Sequence, residues 1–103
     1  MDIIKYFSEK IPDELDGACE YAKNAFTLKA MDQMWAKSFI EMASQELVHA
    51  SKLYQMFDQF YQNMTKSVNE IPDSMEEVRD NLIETYTTKY SMVKGMIDLY
   101  NKS

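Results

Sequence analysis

From Trp35 to Phe60 the chain sets residues at alternating steps of four and three: Trp35, Phe39, Met42, Glu46, His49, Leu53, Met56 and Phe60. Such spacing keeps one stripe on one face of a long helix, turned toward a partner helix. A strand alternates its side chains with a period of two and cannot gather these residues on one side. A second series has the same steps: Ile4, Phe7, Ile11, Glu14, Ala18, Tyr21, Ala25 and Leu28. A third runs Ile83, Tyr86, Tyr90, Val93, Ile97 and Tyr100. Only two Gly and two Pro occur in 103 residues, too few turn-formers for a many-stranded sheet. The chain therefore reads as all-α.

Helix signals bound three segments within one domain spanning 1–103. The first begins at Asp2 or at Pro12 and ends near Lys29; Pro12 either opens the main helix or kinks a longer one. The second runs from Asp32, a candidate N-cap, to about Met64. The third runs from about Ser74 to Tyr100, after a break at Pro72, with Ser74 and Glu77 at capping-box spacing. The join at Ala30, Met31 and Asp32 is short, which makes the first two helices antiparallel neighbours. The join from Lys66 to Asp73 is longer and polar. The expected architecture is an antiparallel helical hairpin plus a third helix, a half-bundle completed by dimerisation.

Charge narrows the function. A formal net charge of -6 repels nucleic-acid phosphates and anionic lipid headgroups. No apolar run is long enough to span a membrane, and the start MDIIKYFSEK lacks the basic opening and long apolar core of a secretory signal. One cysteine, Cys19, forms no internal disulfide; a reducing, cytoplasmic location is the expectation. No hydrolase triad, phosphate-cradling glycine loop or basic nucleic-acid face is present.

The apolar stripes are interrupted at one level. Glu46 and His49 sit mid-stripe on the second helix, and Glu14 interrupts the first. Folding the hairpin about Ala30 brings Glu14 to the height of Glu46. A buried, unpaired carboxylate costs several kcal/mol, so a metal, another cation, a proton or solvent must compensate. The i, i+3 spacing of Glu46 and His49 lets both reach one ion. Two carboxylates with one imidazole suit iron or manganese better than a closed zinc site. They are half the donor set of a di-iron carboxylate bundle, and the chain has only one His, so a symmetric homodimer, or a higher homo-oligomer, would supply the rest.

The segments DELDGACEY and QELVHA resemble the first helical hairpin of the ferritin-like superfamily, as in rubrerythrins, bacterioferritins and short encapsulated ferritins. The resemblance covers about residues 11–60 and matches Glu14, Tyr21, Glu46 and His49. It also extends to small ferritin-like proteins of phage and gut bacteria. The resemblance implies that Glu14 is a terminal ligand to one iron, that Glu46 bridges two irons and that His49 binds one of them. Tyr21 would be a hydrogen-bond partner behind the ligands. The implied cofactor is iron, two per dimer site, or manganese, and the implied chemistry is oxidation of Fe(II) by dioxygen or peroxide. The second Glu and second Glu-x-x-His of four-helix members are missing. So are the Cys-rich iron domain of rubrerythrins and an apolar C-terminal targeting peptide; rubredoxin-type electron transfer and storage in a shell are not implied.

A non-enzymatic helical interaction module, an accessory protein of phage or host with a relic of the site or none, is the competing reading. Met34, Met42, Met56, Met92 and Met96 read as core filler, with a promiscuous helix-binding groove as the alternative. Cys19 reads as a small buried hydrophobe, and Glu84 as a residue off the third stripe. Tyr86, Tyr90 and Tyr100 suit either packing within the chain or a dimer surface.

Overall fold

The computed structural model describes residues 2–67 and 71–103. Three helices fill them: α1 (Ile3–Leu28), α2 (Gln33–Ser67) and α3 (Asp73–Lys102), with no strand among the described residues. The all-α expectation holds.

Each start has a local cause. The Asp2 carboxylate accepts from the Lys5 amide at 3.1 Å, capping α1. The helix therefore begins ahead of Pro12 and runs through it, forgoing the bond that residue 12 would give the Ser8 carbonyl. Asp32 caps α2, its Oδ1 accepting from the Trp35 amide at 3.1 Å. Between them, the amides of Met31 and Asp32 both return to the Leu28 carbonyl, at 2.9 and 2.8 Å, closing a tight reversal. The capping box expected at Ser74 and Glu77 does not form. Pro72 is the N-cap, with φ -56° and ψ 138° and no side-chain cap bond, so Ser74 already lies inside the first turn. Of the polar join before α3, residues 68–70 lie outside the described residues.

α1 and α2 form the closer pair, and α3 lies against both. The core combines Phe7, Ile11, Leu15, Ala18, Ala22 and Ala25 of α1 with Ile40, Ala43, Leu47, Ala50, Phe57 and Tyr61 of α2; α3 adds Leu82, Val93 and Ile97. Alanines recur along the facing stripes, which lets the two backbones approach closely. Phe7 meets Phe57 edge-on at 6.0 Å. A Lys89–Asp16 ion pair at 2.6 Å ties α3 to α1, and Arg79 lies over the Tyr61 ring at 4.9 Å, tying it to α2. Tyr86 stacks on Tyr54 at 4.0 Å and 9°, and Tyr100 packs edge-on against Phe26, so these tyrosines are used within the chain.

One expectation is overturned. The stripe Trp35–Phe39–Met42–Leu53–Met56–Phe60 is not the inner face of α2; Trp35 is 62% exposed and Met56 56%. The inner face is the neighbouring stripe of Ala36, Ile40, Ala43, Leu47 and Ala50, all buried. One residue is a rotation of roughly 100°. The alanine-rich stripe wins because small side chains permit the close approach that Trp and Met would block. Glu46 and His49 therefore sit at the edge of the hairpin, Glu46 partly sheltered and His49 open to solvent, and are not enclosed in its core.

Candidate metal centre

Glu14 and Glu46 each lie sixteen residues from Ala30. The tight reversal therefore sets them at one height on the antiparallel pair. His49 follows one turn after Glu46 on the same helix face. One donor atom from each of Glu14, Glu46 and His49 lies within 4.8 Å of the others. His49 Nδ1 is 3.4 Å from Glu46 Oε1 and 3.9 Å from Glu14 Oε2. The Glu14 side chain is only 14% exposed, that of Glu46 25%, and that of His49 56%. The cluster thus runs from a sheltered carboxylate to an open imidazole.

Two like-charged groups this close cannot both ionise freely. The Glu14 and Glu46 carboxyls share a hydrogen-bonding contact. It draws Glu14 below the ordinary carboxylate range, helped by Lys10 and opposed by burial. The same contact, with burial and the charge on Glu14, pushes Glu46 above that range. The pair therefore holds charge on Glu14 and favours a proton on Glu46. A bound cation would favour the charged form of both carboxyls. The donor set, two carboxylates and an imidazole on two helices, fits iron or manganese in kind and number for half of a two-metal centre.

Two further residues shape the cluster. Lys10, one turn before Glu14, places Nζ 3.3 Å from Glu14 Oε1. Gly17 lies beneath Glu46: a Cβ there would sit 3.4 Å from Glu46 Oε2. Both had sequence signals, a Lys-x-x-x-Glu spacing and an isolated glycine inside a helical pattern. On the outer side, Tyr6, Lys10, Glu14, His49, Lys52 and Leu53 line a hollow of about 300 Å³.

Tyr21 is half-buried against the core, with its ring 6.1 Å from that of Phe39; among the described residues its hydroxyl makes no hydrogen bond to the three clustered side chains. Glu84 is exposed on α3 and stands outside the cluster. Cys19 is a free, partly buried thiol packed on the core. No helix among the described residues is long and apolar enough to cross a membrane.

The family model described as Rubrerythrin matches residues 8–103, nearly the whole chain. Comparison with curated proteins and with solved structures returns no significant match.

Proposed function

The chain belongs to the rubrerythrin family, whose members typically bind iron, and we propose that it is a di-iron or di-manganese carboxylate protein that oxidises Fe(II) with dioxygen or peroxide at a site shared by two copies. The observation that carries this reading is the convergence of Glu14, Glu46 and His49 within 4.8 Å, from two helices, beside a core otherwise built of apolar side chains.

Glu46 has one donor atom within 4.8 Å of both other groups and Oε1 3.4 Å from His49 Nδ1, so its carboxylate would be the one to serve both metals. Glu14 is the sheltered terminal ligand and His49 the open one. Tyr21, two turns along α1 from Glu14, packs its ring beside that of Phe39. Bound iron would supply the Fe(II)/Fe(III) couple for oxygen or peroxide reduction. Both carboxylates would bind the cation in their charged form, which Glu14 favours and Glu46 resists in its absence.

One chain offers two carboxylates and one imidazole, whereas a two-metal centre takes about twice that. A second copy across a two-fold axis would double the set. In support, Trp35, Phe39, Met42, Leu53, Met56 and Phe60 leave an apolar stripe on the same side of α2 as His49, running past the cluster in both directions. The same stripe also favours a second reading, a helical interaction module whose partner is another protein.

Metal content separates the two. The chain is loaded anaerobically with Fe(II), desalted and measured by plasma mass spectrometry alongside Glu46→Ala/His49→Ala. About one iron per chain, lost in the double variant, is expected from the half-set of donors. No iron or manganese in the unsubstituted chain would leave only the interaction module.

A further inference from the structure

A lysine already occupies part of the cluster. Glu14 divides its carboxylate: Oε1 faces Lys10 Nζ at 3.3 Å, and Oε2 faces His49 Nδ1 at 3.9 Å. Lys10 belongs to the same helix as Glu14, four residues earlier, so the pair forms within each chain and needs no partner copy. The remaining clustered groups offer Glu14 no fixed cation: Glu46 is a second acid, and His49 is a base open to solvent. Lys10 thus supplies the nearest permanent positive charge to the sheltered carboxylate.

A divalent cation held by Glu14, Glu46 and His49 would bind the carboxylate that Lys10 already pairs, and its charge would lie close to the Lys10 ammonium. The two repel, and both draw on one carboxylate. Lys10 is 44% exposed and opens onto the hollow lined by Tyr6, Lys52 and Leu53, so its flexible stem has room to withdraw. We propose that Lys10 is an internal competitor for the metal. It satisfies Glu14 in the metal-free chain and gives way only to a cation that binds the cluster more strongly than an ammonium does. This rests on the proposed metal site and deepens it: Lys10 sets the affinity threshold for the cation.

The test is Mn(II) affinity of the metal-stripped 103-residue chain at pH 7, by isothermal titration calorimetry. Lys10→Met, Lys10→Arg and Lys52→Met are compared with the unsubstituted chain, folding being checked by helical circular dichroism. Lys52 lines the same hollow without pairing Glu14, so it reports the general effect of removing one positive charge. The expected result is Mn(II) binding roughly fivefold tighter in Lys10→Met, from loss of an ion pair and of a nearby repulsion. Lys10→Arg should stay near the unsubstituted affinity, and Lys52→Met should show less than half the gain. Affinity in Lys10→Met that is unchanged, weaker or matched by Lys52→Met would overturn the competitor role while leaving the metal site standing. Absence of Mn(II) binding in all four chains would remove the metal site itself and the competitor role with it.

Discussion

Replacing Glu46 by leucine should make the protein more stable without metal and less stable with it. The Glu46 side chain is three-quarters sheltered, being 25% exposed. Full burial of a leucine side chain is worth about 1.5–3 kcal/mol, so this position should return about 1–2 kcal/mol. Against that stands loss of the contacts with His49 and Glu14, about 0.5–1 kcal/mol for partly exposed polar partners. Glu14 keeps Lys10, and His49 keeps its solvent, so neither is stranded. The net gain is about 1 kcal/mol, or roughly 4–8 °C in Tm for a chain near this size. Metal reverses the order. A cation at a hundredfold excess over its Kd adds about 2.7 kcal/mol to a chain that binds it and nothing to one that does not. The unsubstituted chain should then lead Glu46→Leu by about 2 kcal/mol. Thermal unfolding followed at 222 nm, at one protein concentration, with chelator and then with excess Mn(II), reads both halves. A variant that is less stable in both conditions would refute the reasoning, because it would mean that the carboxyl stabilises the fold by itself.

Acidity should act on the same pair. With metal absent, the raised carboxyl of Glu46 binds its proton more tightly in the folded chain than in the unfolded one. Its stabilising contribution is therefore complete below the ordinary glutamate range and is lost as pH rises through its folded value. Glu14 has the opposite sign: its contribution is present above that range and is lost as pH falls through its depressed value. The metal-free chain should gain stability on mild acidification from pH 7, and Glu46→Gln should abolish that gain in chemical denaturation at stepped pH. On the outer stripe, Met42→Glu/Met56→Glu should leave helix content and monomer stability nearly unchanged, since both residues are exposed. If the proposed two-copy site forms, the pair should leave only monomer in light scattering and lower iron retention together with it. At Gly17, alanine should raise metal-free stability by about 1 kcal/mol through helix propensity. It should also weaken Mn(II) binding in titration calorimetry, because the added methyl sits 3.4 Å from Glu46 Oε2.

The three helices, the reversal at residues 29–32 and the Asp32 cap were legible because each rests on local chemistry: spacing, a tight turn and one side-chain bond. The convergence of Glu14 with Glu46 and His49 followed from counting residues to either side of that turn. What local patterns missed was rotation. Trp, Phe and Met offer far more apolar area than Ala, so the outer stripe of α2 read as the core stripe. The backbone spacing of the packed pair instead selected Ala36, Ala43 and Ala50. The start of α3 failed for a related reason. Pro72, with its restricted φ, sets the cap two residues ahead of Ser74, and the serine hydroxyl is no longer at the cap. Lys10 and Gly17 were visible as residues, but their relation to the carboxylates depends on side-chain positions that spacing does not specify.

The rotation of α2 also gives the protein an optical property. Trp35 is the chain's only tryptophan, and it is 62% exposed on the outer stripe. In most small domains the indole is interior and its emission reports unfolding. Here a lone chain would emit at the long wavelength of a wet indole even when fully folded. Emission would move to the blue only when another surface covers α2. Fluorescence from this one residue would therefore follow assembly and remain nearly silent on folding.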